Sequence, residues 1–249
     1  MIDSIDQTQR NAARAVGFTY LFTSALAYFA EFHVQARLID YQSAAQTAAN
    51  IVSSANLFRL GLAANLLTFA SDVVLAVGSY LILRPVNRSL AIFGLSWRLV
   101  ETAVVAVMTL NTFRMLALVS GSAYLRALPP NDLHAMLGMA IDARNAGFNV
   151  GCLFFGLGSG AFCVAWYQSR YIPRLLAAWG VLGSLLAAAS TIVYTLSPAV
   201  AGAVEPACFV PIGTFEVIVG FWLLLRGLPR ATRASIQTAP TRPQTGRLP

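Results

Sequence analysis

A chain of 249 residues with 57% hydrophobic and only 11% charged residues is too apolar for an ordinary soluble domain, in which about a quarter of residues are charged. The formal net charge of +7 rests on 17 arginines, with no lysine anywhere. No stretch interleaves these arginines with aromatics on a soluble element, so no nucleic-acid partner is expected.

A run of about 20 apolar residues spans a bilayer. Six such runs follow one another, at 12–32, 56–83, 89–116, 146–168, 173–196 and 207–226. They predict an all-α fold, an integral membrane bundle of six transmembrane helices occupying residues 1–227. The first run starts after Arg10 and Arg14, and Ala25-Leu26-Ala27 has the look of a leader cleavage site. The apolar character continues past it through Tyr28, Phe29 and Ala30, so a retained first helix is expected. The loop that follows, through Asp40, Ser43, Ala44 and Ala45, reads as a short interfacial helix. The second run closes on Leu83 and turns through Arg84-Pro85-Val86-Asn87-Arg88 into the third. Pro129-Pro130 precede Asn131, a side chain suited to N-cap a helical lead-in to the fourth run. Arg170 and Arg174 flank Pro173 between the fourth and fifth. Residues 228–249 are rich in Pro, Thr and Arg without an apolar face, and are expected to form a disordered basic tail held near anionic inner-leaflet lipid.

The arginines mark alternate connections. Arg10, Arg14, Arg84, Arg88, Arg170, Arg174 and the arginines from Arg226 onward share one side if six helices alternate. The opposite loops, near 33–55, 117–137 and 197–206, hold only Arg37 and Arg126 clear of helix ends. Basic residues accumulate on the cytoplasmic side, so both termini are expected in the cytoplasm, with membrane lipids as the surrounding partners.

Four ionisable residues interrupt the apolar runs: Asp72, Arg98, Glu101 and Glu216. Counted from the arginine-rich ends at 1.5 Å per residue, all lie roughly 13–18 Å deep. Charged groups there tend to face the bundle interior and find partners. Asn65, Thr68, Asp72 and Ser79 share one helical face, as do Arg98, Thr102, Thr109 and Thr112. Gly213, Glu216 and Gly220 line another, where small residues allow close helix approach. Two readings stay open: a site for a polar solute or a proton, or an ion network that fixes packing. Three acids around one arginine leave excess negative charge, which a proton on at least one acid would relieve.

A second group, Glu31, Arg59, Asp142 and Arg144, falls near the opposite surface and reads either as interfacial ion pairs or as a vestibule for an anion. His33 and His134, with Glu31 and Asp132, match no helical metal spacing, so no metal is expected. Cys152, Cys163 and Cys208 lack a paired framework and read as small buried residues, with a Cys152–Cys208 bridge as the alternative. The Gly156-Leu157-Gly158-Ser159-Gly160 run follows no strand, so it reads as close helix packing and not as a nucleotide loop. No serine has a histidine base nearby in the membrane. An enzyme therefore ranks last, with no catalytic residue and no cofactor expected. A binding or transport protein for a small solute, lipid or proton and a structural or regulatory membrane subunit both rank above it.

Several pieces combine into a family likeness. They are Phe58-Arg59-Leu60, Asp72, Leu83-Arg84-Pro85-Val86-Asn87, the Arg98 and Glu101 pair, Phe154-Phe155-Gly156-Leu157, Ser169-Arg170-Tyr171-Ile172-Pro173-Arg174, and Glu216 followed by Trp222-Leu223-Leu224-Leu225-Arg226-Gly227. Over roughly residues 10–227 the chain resembles a bacterial multi-pass family known as domain of unknown function (DUF) 4386. The resemblance implies a six-helix protein of the bacterial inner membrane and brings no catalytic residues with it.

Overall fold

The computed structural model describes residues 7–123 and 125–228. The first helix, α1 (Gln7–Tyr28), runs on into a π-helical stretch, Phe29–Gln35, and a last turn, Ala36–Leu38. There follow α2 (Ala44–Ser53), α3 (Ala55–Leu83), α4 (Arg88–Val119), a 3-10 turn at Leu125–Ala127, α5 (Pro130–Ser169), α6 (Arg174–Leu196) and α7 (Pro198–Leu225). The fold is all-helical, with no strand among the described residues. Residues 229–249, the bulk of the expected tail, lie outside the described residues, whereas Leu228 is buried in the core.

Local chemistry sets the boundaries. Ser43 accepts the Gln46 N–H and Asn87 accepts the Leu90 N–H, each at 3.1 Å, as N-caps do. The cap expected at Asn131 is displaced: α5 opens with Pro130, whose fixed φ suits a first helical position, and Asn131 sits inside the first turn. The lead-in and the fourth apolar run are one helix of 40 residues. At 1.5 Å per residue that is about 60 Å, twice the hydrocarbon thickness. α7 likewise starts at Pro198, so the stretch near 197–206, expected as a loop, is helical from that residue on. Arg170, at φ 55°, ends α5 in the left-handed region, and Pro173 leads into α6.

Five helices are long and apolar enough to cross a membrane: α3, α4, α5, α6 and the Ala207–Leu225 part of α7. Their polarity is inverted relative to a soluble protein. Arg98 is 3% exposed while its neighbours Leu99 and Val100 are 40% and 43% exposed. Asp72 is buried, and Val73 and Val74 beside it face outward. Such continuous apolar exteriors require a non-aqueous surround, so the chain is a multi-pass membrane protein.

The helices form a closed ring. α3 packs on α4, α4 on α5, α5 on α6 and α6 on α7, and α1 packs against both α3 and α7. Glycines set the closest approaches. A Cβ on Gly17 would lie 2.7 Å from the Leu224 backbone N, and one on Gly156 would lie 2.4 Å from the Ser184 carbonyl O. Gly213, expected at a close approach, faces nothing within 4 Å. Two apolar cores fill the ring. One joins Ala13, Val16, Ile82, Leu83, Ala91, Trp166 and Leu228 at the end bearing the helix-linking arginines. The other joins Val34, Ile51, Phe58, Met115, Leu137 and Ile141 at the opposite end, where α2 covers the long start of α5. Along α3, α4 and α5 the buried polar residues lie largely between these cores.

Candidate functional site

The polar zone centres on Arg98. Its Nη2 donates to Asp72 Oδ1 at 3.0 Å, tying α4 to α3. Its Nη1 lies 3.3 Å from Glu101 Oε2, one turn along the same helix. That second approach is not aligned as a hydrogen bond, and both atoms are fully buried without a hydrogen-bond partner. A buried polar atom left in that state costs free energy. The guanidinium also lies over the Phe155 ring of α5, 4.6 Å from its centroid, a favourable placement for a desolvated cation. α5 can come this close because of Gly158: a Cβ there would meet Arg98 Cγ at 2.9 Å and Arg98 N at 3.0 Å. Thr102 and Thr109, on the Arg98 face of α4, turn their hydroxyls back onto carbonyls of their own helix, so neither competes for the guanidinium.

Glu216 enters from the far side of the ring. It is half-buried on α7 and interacts electrostatically with Arg98, Asp72 and Glu101. It makes no ion pair among the described residues. The expectation that its helix touches those of Asp72 and Arg98 directly is corrected: α7 packs along α1 and α6, not along α3 or α4. The acid therefore reaches the group across the interior of the ring. Sequence reasoning missed the α1 member of the site. Tyr20 is buried, meets Phe215 edge-on at 6.5 Å, and interacts electrostatically with Glu216, Arg98 and Asp72. A lone tyrosine in an apolar run gives little signal; its position midway along the first segment is the one hint. Phe155 and Gly158 were equally invisible as neighbours of Arg98.

The second group divides. Arg144 Nη2 donates to Glu31 Oε1 at 2.7 Å and to Oε2 at 2.8 Å. With the Gln35 amide oxygen turned toward it, Arg144 also donates from Nε at 3.3 Å and Nη2 at 3.2 Å. Both partners sit on the π-helical stretch, whose wider turn brings Ala30, Val34 and Gln35 inward together. Arg144 is 2% exposed, which corrects its expected place at the watery interface: the long α5 carries it into the ring, under α2. Gln35 was not anticipated. Arg59 and Asp142 are exposed and make no ion pair among the described residues, so they are not part of this group. His33 stacks on Phe29 with centroids 5.5 Å apart. The three cysteines are buried thiols, with no disulfide among the described residues.

Arg98, Asp72, Glu101 and Glu216 thus bring one permanent cation and three carboxyls into a six-helix ring, with a cationic hydrogen-bond donor unused. That arrangement can hold protons, a small cation or a polar solute, and it lacks a nucleophile–base pair. No curated protein and no solved structure matches the chain. A family model described as domain of unknown function (DUF4386) matches residues 15–227, and the chain belongs to that family.

Proposed function

We propose that this protein crosses a bacterial inner membrane six times, with both termini in the cytoplasm, and that it binds and moves protons together with a small polar solute through the Asp72, Arg98, Glu101 and Glu216 cluster. The sixth crossing is α1. Its inner face is seated against Gly78, Gly220 and Leu224, and its outer face carries exposed Phe18, Phe22 and Tyr28. The orientation follows from charge. Gln9 Nε2 donates to the Ile82 carbonyl, and Asn87 donates to Gln168, so the start of α1, the α3–α4 turn and the end of α5 share one face. Arg10, Arg14, Arg84, Arg88, Arg170, Arg174 and Arg226 are exposed there, with no acid beside them among the described residues. An arginine excess of this kind marks the cytoplasmic side.

One observation carries the functional reading: three acids share one arginine inside a closed ring, and the third acid, Glu216, has no cation of its own. A packing network needs only Arg98, Asp72 and Glu101. The alternative, a structural or regulatory subunit, therefore leaves Glu216 unexplained. Two negative charges in excess are balanced by protons or by a bound cation, and a group that must take up protons to be neutral is a natural proton carrier.

The test uses infrared difference spectroscopy and a flux assay on protein reconstituted in liposomes. A band from protonated carboxyl at neutral pH, lost in Glu216→Gln, together with proton flux above that of empty liposomes, supports the proposal. No such band and no flux above the empty-liposome background would refute it.

A further inference from the structure

The turn between α3 and α4 forms a notch of about 290 Å³ lined by Tyr80, Arg84, Pro85 and Arg88. Both flanking helices are long and apolar enough to span a membrane, so this turn lies at a membrane surface. Asn87 braces it: its side-chain oxygen caps α4 at Leu90, and its amide donates to Gln168 of α5 at 3.0 Å. Arg84 and Arg88 are exposed, and neither pairs with an acid nor stacks on a ring among the described residues. On the same face Arg174 lies over Tyr167 and Arg226 over Trp222, so those two guanidinium groups have aromatic seats. Immediately deeper, one helical turn from Tyr80 and one from Arg88, Val77 and Ile92 are exposed, with Phe93 beside them.

We propose that this notch binds the headgroup phosphate of an anionic membrane phospholipid. Arg84 and Arg88 supply two guanidinium groups suited to phosphate oxygens, and the Tyr80 ring provides an amphipathic wall at the interface. Val77, Ile92 and Phe93 meet the acyl chains. The chemistry is that of any phosphate; what selects the lipid is this apolar strip directly beneath the charge. The site is separate from the central cluster and stands whether or not that cluster moves protons.

The experiment titrates purified full-length protein in neutral detergent with phosphatidylglycerol, with phosphatidylcholine, or with inorganic phosphate, reading bound lipid by native mass spectrometry and thermal stability in parallel. Wild type should retain and be stabilised by phosphatidylglycerol over phosphatidylcholine. Arg84→Ala/Arg88→Ala should weaken phosphatidylglycerol binding about thirtyfold, from a factor of about five per basic residue near a membrane surface. Arg10→Ala/Arg14→Ala removes the same charge from the same face and should leave that preference within about threefold, the effect of net charge alone. If the alanine pair does not fold, Arg84→Gln/Arg88→Gln takes its place. Equal retention of both lipids by wild type overturns the proposal, as does phosphatidylglycerol binding that survives loss of both arginines. Inorganic phosphate binding as tightly as phosphatidylglycerol assigns the notch to a free anion and overturns the lipid assignment.

Discussion

Arg98→Ala is the most informative single substitution. It removes the 3.0 Å bond to Asp72, the 3.3 Å approach to Glu101 and the stacking on Phe155. It leaves Asp72 and Glu101 buried, at 8% and 6% exposure, without their cation. Removing one partner of a buried ion pair costs about 3–5 kcal/mol, mostly from the charge left behind. Arg98→Lys should recover part of this, because a lysine retains charge but not the planar fork that faces two carboxyls. Restoring neutrality should recover more. Arg98→Met with Asp72→Leu and Glu101→Met replaces the network by apolar bulk, a change that is often neutral or stabilising. Reversible unfolding in detergent, followed by tryptophan fluorescence, measures all three. A loss below about 1 kcal/mol for Arg98→Ala would refute the reasoning, since it would mean that the guanidinium is not holding the acids in place. A triple variant that folds and still moves protons would separate the cluster from function.

Glu31→Ala should cost more than Arg144→Ala, about 3–5 against about 1–3 kcal/mol, because Arg144 is buried whereas the Glu31 side chain is 31% exposed and can be hydrated; equal losses in the same unfolding assay would contradict this. Gly158→Ala should force α4 and α5 apart at Arg98, where a Cβ meets backbone at 3.0 Å, with a loss of about 1–3 kcal/mol; unchanged stability would show that the helices slide freely. Reporter fusions after Arg88, Arg174 and Arg233 should read cytoplasmic and those near Ala45, Ala127 and Val204 external; an external reading at Arg174 would overturn the proposed topology.

What the sequence made legible was what depends on single helices. Apolar runs located α3, α4 and α6 to within a few residues, because length and hydropathy are local properties. The interior faces of α3 and α4 followed from helical period, which put Asp72 and Arg98 inward. Helix starts were harder. α5 and α7 both begin well ahead of their apolar runs, at Pro130 and Pro198, since a helix needs no hydropathy once it leaves the bilayer. Ring order was not legible at all. Nothing local says that α1 closes the ring between α3 and α7, so Tyr20 could not be placed beside Glu216. The π-helical stretch was equally hidden: it changes the register by which Glu31 and Gln35 meet Arg144.

The two buried arginines act as controls for each other. Both stand inside the same ring, both are 3% exposed or less, and both face carboxylates from another helix. Arg144 meets one acid through both carboxylate oxygens and, with Gln35, uses two of its nitrogens. Its charge is matched one to one, which is how a structural ion pair satisfies the cost of burial. Arg98 meets two acids with a third in electrostatic range, and its Nη1 has no hydrogen bond. If selection for packing alone had shaped the centre, the solution already used at Arg144 was available there. An acid excess and an unused donor at mid-membrane depth are worth their cost only if something else completes the set for part of the time. Protons on the carboxyls and a polar solute on the guanidinium would do so, which is why the central cluster, and not the better-bonded outer pair, carries the functional proposal.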